Sequence, residues 1–120
     1  MPNARYYRFE KLDVWKDARE FVTLVYKITE NFPSKEKFGL IDQIRRAAIS
    51  IVLNIAEGSA GRSDAEFKRF LKMAQGSLHE VIAGFYISSD RKFVNKNEFD
   101  QVYDFSQKLN ARLNALIKKL

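Results

Sequence analysis

Apolar residues recur along this chain at steps of three and four in four long segments, separated by Pro33 and a few glycines. That period puts each apolar set on one side of a helix. In the first segment, about 13–31, the stripe is Val14, Ala18, Phe21, Val25, Ile28 and Phe32. Asp13, Lys16, Asp17, Glu20, Lys27 and Glu30 fall opposite, and Trp15, Val22 and Tyr26 add a second apolar strip beside the first. Phe32-Pro33 ends the helix, because a residue before proline is pushed out of helical backbone.

The second segment, about 38–57, is the least polar. Leu40, Ile44, Ala47, Ala48, Ile51 and Ile55 fill one face, while Ile49, Val52 and Leu53 spread onto its flanks. Gln43, Arg46, Ser50, Asn54 and Glu57 make one narrow polar line. Gly58 follows directly and is expected to cap the helix in the left-handed conformation. The third helix starts at Ser63, where Ser63 and Glu66 have the spacing of a reciprocal capping box. Its stripe is Phe67, Phe70, Leu71, Ala74, Leu78, Val81, Ile82 and Phe85. The fourth starts near Asn95, paired with Glu98, and carries Phe99, Val102, Tyr103, Leu109, Leu113, Leu116 and Leu120. No alternating strand pattern and no internal repeat interrupts this order. The expected fold is all-α: an antiparallel up-down-up-down four-helix bundle over 13–120, preceded by an N-terminal arm, 1–12.

A helix that is apolar nearly all round is covered on several sides. A monomeric bundle leaves one side of each helix in water, so the surplus on helix 2 and the extra strip on helix 1 predict self-association. Trp15, Val22, Tyr26, Ile49, Val52 and Leu53 are the expected interface. Arg45 and Arg46 interrupt this hydrophobic helix, and two roles fit them. Either they pair at the interface, with Asp42 or Glu57 as partner, or symmetry repeats them into a ring of guanidiniums that meets phosphate.

Composition narrows the chemistry. The length, 120 residues, is that of one domain, and 46% hydrophobic residues suffice for a core. No apolar run approaches the roughly 20 residues of a membrane span. The N-terminal stretch lacks the apolar run of a secretory leader, so a cytoplasmic protein is expected. With no cysteine, disulfides, thiolate metal sites and cysteine nucleophiles are excluded. His79 is the sole histidine; Ala83 stands where a zinc HExxH motif needs a second one, and Gly76 where a di-iron bundle needs glutamate. GSAGR at 58–62 lacks the spacing and ending of a phosphate-binding loop. No catalytic residue, metal or cofactor is expected.

The net charge of +6 favours polyanions. Lys68, Arg69 and Lys72 cluster on the exposed side of helix 3, with Arg62 one turn earlier. Lys108, Arg112 and Lys119 lie late on helix 4, where they also suit the helix dipole. Aromatics are scarce on these faces, so any binding should read backbone and shape.

LDVWKDA, the FP and FGL around the first turn, QIRRAAISIVLNIAEG and FLKMAQGSLHE, in that order, resemble the four-helix-bundle family encoded in intervening sequences of bacterial 23S ribosomal RNA genes. The resemblance implies a bacterial protein and a barrel-like homopentamer with a central channel. It also implies kinship with the accessory variability determinant of diversity-generating retroelements, which binds nucleic acid. Residues and resemblance together predict a non-catalytic oligomeric scaffold that binds RNA or DNA through Arg45, Arg46, Arg62, Lys68, Arg69, Lys72, Lys108, Arg112 and Lys119. The alternative is a protein-binding module that docks a partner on an apolar helix face, without nucleic acid.

Overall fold

The four apolar stripes meet in one core. The computed structural model describes residues 6–120; residues 1–5 of the expected arm, Arg5 among them, lie outside the described residues. The helices are α1 (Asp13–Thr29), α2 (Leu40–Gly58), α3 (Asp64–Asp90) and α4 (Lys96–Lys119), with short 3-10 turns at Arg8–Lys11 and Ser34–Glu36. There is no strand among the described residues, so the class is all-α. Each helix packs on two neighbours: α1 and α3 both lie against α2 and α4, while the diagonal pairs stay apart.

Individual side chains fix the direction of two of these seams. Along α2 and α3, Ile44 meets Gly84, Ser50 bonds Ser77, and Gly58 meets Phe70, so the two run oppositely. Gln75 bonds Asn110 and Asn114 while Tyr86 packs on Phe99, which does the same for α3 and α4. The α1 stripe Val14, Ala18, Phe21, Val25, Ile28 and Phe32 is buried throughout. Phe32, held by Pro33 after α1 ends, inserts its ring between Phe85 (6.3 Å) and Phe93 (5.6 Å). The turn at Arg8–Lys11 lies against α1 and α2, with Phe9 on Trp15 at 4.7 Å.

Local punctuation differs from expectation in two places. Gly58 does not take the left-handed conformation; Gly61 does, at φ 72°. Gly58 is buried in the last turn of α2, where a Cβ would lie 2.7 Å from Phe70 Cβ, so close approach selects the glycine there. Ser63 Oγ accepts from the Glu66 N–H at 3.2 Å, but the reciprocal bond is missing. The Glu66 carboxylate instead lies 3.7 Å from Arg62. Asn95 and Glu98 do form the full box, at 2.7 and 3.0 Å. The far end of α3 carries no glycine. Phe93 N–H bonds Ser88 O, Lys92 N–H bonds Ser89 O, and Lys92 takes φ 63°, a Schellman stop made with a lysine.

Candidate nucleic-acid interface

The paired arginines separate as soon as their helix is packed. Arg45 leans onto α1. Its Nε donates to Thr29 Oγ1 at 2.9 Å, its Nη2 to the Tyr26 carbonyl at 3.4 Å, and its guanidinium lies 4.2 Å from the Tyr26 ring centre. Tyr26 and Thr29 belong to the last turn of α1, where the dipole is negative, and the Tyr26 carbonyl accepts from Arg45 in addition to the Glu30 N–H (3.0 Å). Arg45 is therefore a cap supplied by the neighbouring helix. Arg46 points outward, 78% exposed, in an i,i+4 pair with Asp42 at 3.0 Å. Such a surface pair contributes about 0.3–0.5 kcal/mol.

Arg62 is likewise occupied. It bonds the Glu57 carboxylate at 2.7 Å and the Glu57 carbonyl at 3.0 Å, and its guanidinium sits 4.8 Å from the Phe70 ring centre. It ties the end of α2 to the start of α3. Arg112 pairs with Asp17 across α1 and α4, beside a cleft of about 420 Å³ that Lys108 and Asp104 also line. Lys119 is exposed near the end of α4. Lys96, at the start of α4, hydrogen-bonds Asp100, and that bond raises its pKa above the ordinary lysine value.

Lys108 and Lys119 form no ion pair among the described residues and stand on α4, and Lys68, Arg69 and Lys72 remain on α3. Arg69 and Lys72 are exposed and Lys68 is half-buried. None forms an ion pair among the described residues; Arg69 touches only Met73 sulfur (3.6 Å) and the Phe70 ring (4.7 Å). Of the nine cations named from sequence, the structure thus gathers these three on one helix with their charges uncommitted. Arg45, Arg62 and Arg112 are turned to partners within the chain, and Arg46 holds a solvated pair with Asp42.

The six expected interface residues are also divided. Trp15 is half-buried between Phe9 and Arg19 (5.0 Å), and Tyr26 lies under Arg45. Val22 and Val52 pack against the core, Ile49 is half-buried, and Leu53 alone is exposed, at 61%. The structure adds Met73 (45% exposed), Tyr86 (52%) and Ile87 (51%). Met73, Gly76, Glu80, Ala83 and Ile87 are all exposed and follow steps of three and four along α3. Counting this outward line as well as the buried stripe would have found it in the sequence.

Among the described residues no helix is long and apolar enough to cross a membrane. The chain resembles a solved protein of unknown function from the S23 ribosomal protein family of Bacteroides thetaiotaomicron, at a TM-score of 0.79 over 88% of this chain and 95% of that one. Identity is 23%, and the likeness is one of fold. No curated protein matches the sequence. The model of the family described as 23S rRNA-intervening sequence protein matches residues 10–115, nearly the whole chain. The chain belongs to the 23S rRNA-intervening sequence protein family.

Proposed function

We propose that this protein is a non-catalytic, cytoplasmic, homo-oligomeric scaffold that binds the phosphate backbone of RNA or DNA. Lys68, Arg69 and Lys72 are its contact residues. The observation that carries the reading is their uncommitted charge, set against the partners that Arg45, Arg46, Arg62 and Arg112 hold within the chain. Cations without a partner in the chain can neutralise phosphates and release the counterions condensed on the nucleic acid.

The subunit in this reading is an up-down-up-down bundle, and five copies close into a ring. A ring contact joins two different faces of the subunit. The exposed line Met73–Gly76–Glu80–Ala83–Ile87 offers one, and Leu53 on α2 is a further exposed apolar residue. The half-buried strip of Trp15, Val22 and Tyr26 offers another, on α1, diagonal to α3. Changing Met73→Lys together with Ile87→Lys leaves the helices intact, because both side chains are exposed, and converts the assembly to monomer in sedimentation velocity. An unchanged sedimentation coefficient removes the α3 line from the interface.

The binding itself is read by anisotropy of a labelled structured RNA at two salt concentrations. Affinity fades steeply as salt rises. The double change Lys68→Glu, Lys72→Glu lowers it about tenfold or more. On single strands it also flattens the salt slope by about 0.7 for each phosphate no longer neutralised. The exposed Leu53, Met73 and Ile87 favour a second reading, docking of a protein partner without nucleic acid. Absence of RNA binding even at low salt selects that one.

A further inference from the structure

An open cleft of about 400 Å³ runs between α3 and α4. His79, Tyr86, Tyr103, Gln107 and Asn110 are among its lining residues, and no carboxylate is. Tyr86 is half exposed and stands edge-on to Phe99 at 4.9 Å, which stacks on Tyr103 at 5.9 Å. Polar groups occur along the same floor. Gln75 Nε2 donates to Asn110 Oδ1 (3.0 Å) and Asn114 Oδ1 (2.7 Å), which leaves the NH₂ groups of both asparagines as donors. His79 Nδ1 lies 2.7 Å from the Gln75 carbonyl. A carbonyl only accepts, so Nδ1 is the donor in this contact.

Charge lies farther along the same two helices, beyond the lining residues. Lys72 precedes His79, and Lys68 precedes Gln75, by seven residues each, so both lysines lie on the side of α3 that faces α4. Lys118 stands four residues past Asn114 on α4. From Lys68 to Tyr86 the helix rises about 27 Å at 1.5 Å per residue, a length that spans several nucleotides. The cleft is therefore amide-lined at one end and aromatic at the other, and the cationic stretch of α3 lies beyond its amide end. A duplex hides its base faces, whereas an unpaired strand offers phosphates, base edges and base faces together.

We infer that the α3–α4 cleft receives an unpaired nucleic-acid segment, its phosphates along Lys68 and Lys72 and a base stacked on Tyr86 and Tyr103. This rests on the polyanion reading above and adds to it a preference for single strands and a named stacking residue.

The test compares a labelled single-stranded RNA with a blunt duplex of the same sequence, on the full chain and its Tyr86→Ala and Tyr86→Phe variants. Wild type binds the single strand more tightly. Tyr86→Ala weakens that binding about tenfold, the scale of one base–aromatic stack, and leaves duplex affinity and the salt slope unchanged. Tyr86→Phe restores it. Equal losses on both probes, or none, overturn the cleft assignment while leaving the basic surface of α3 standing. Binding of neither probe overturns both readings. If Tyr86→Ala instead changes the sedimentation coefficient, the cleft is an interface between copies of the chain, and the inference falls.

Discussion

Replacing Gly84 with valine lowers the unfolding free energy by about 3 kcal/mol, or roughly 10 °C in Tm at fixed protein concentration. A Cβ at this position would lie 2.6 Å from Ile44 Cγ1 and 3.1 Å from its Cδ1. Ile44 is 2% exposed and β-branched, so in a helix it has essentially one rotamer and cannot swing aside. The relief available is to move α2 from α3. Gly58 closes the same seam at its other end, where a Cβ would lie 2.7 Å from Phe70 Cβ and 3.0 Å from Phe67 Cδ1. Between the two glycines the Ser77 hydroxyl donates to Ser50 at 2.9 Å, a bond that also depends on close approach. Gly76 is the control on the same helix. A Cβ there meets nothing within 4 Å of the subunit, so in the Met73→Lys, Ile87→Lys background, which removes the proposed α3 contact, Gly76→Ala raises stability by up to about 1 kcal/mol through helix propensity. Urea midpoints of the two variants, each against its own parent, must move in opposite directions. Adding Ile44→Ala to Gly84→Val recovers part of the loss, because the two side chains compete for one space. A Gly84→Val protein as stable as wild type would mean that α2 and α3 are not closely packed.

These glycines mark where the sequence stops being legible. The stripes are readable because burial on one helix side imposes a period, and the entire α1 stripe from Val14 to Phe32 is buried. Helix starts are readable because Ser63 and Asn95 cap by local side-chain chemistry. Gly58 misleads because a glycine after a helix fits two needs, a positive φ or a close neighbour. Only the position of Phe70, twelve residues on, decides between them. The stop after Asp90 gives no signal, since Lys92 holds a conformation that glycine usually takes. The candidate site divides in the same way. The basic cluster of α3 follows from spacing on one helix. The commitments of Arg45 and Arg112 depend on which helices become neighbours, and local sequence does not carry that information.

Neighbouring helices likewise determine what Arg45 touches. Arg45→Ala lowers stability by about 2 kcal/mol, because it removes the cation–π stacking on Tyr26 and two charge-assisted bonds at the end of α1. Arg46→Ala stays within about 0.5 kcal/mol, because its pair with Asp42 is solvated. RNA affinity per folded molecule is unchanged by Arg45→Ala. The decisive variant is Arg45→Lys. A phosphate contact needs a positive charge within reach, and lysine provides one. The cap needs a planar group that lies 4.2 Å from the Tyr26 ring centre while its Nε reaches Thr29 Oγ1, and an ammonium cannot do both. Arg45→Lys therefore behaves like Arg45→Ala in denaturation and like wild type in binding. A variant that keeps full stability but loses affinity would return Arg45 to the phosphate-contacting set and remove its role as the cap of α1.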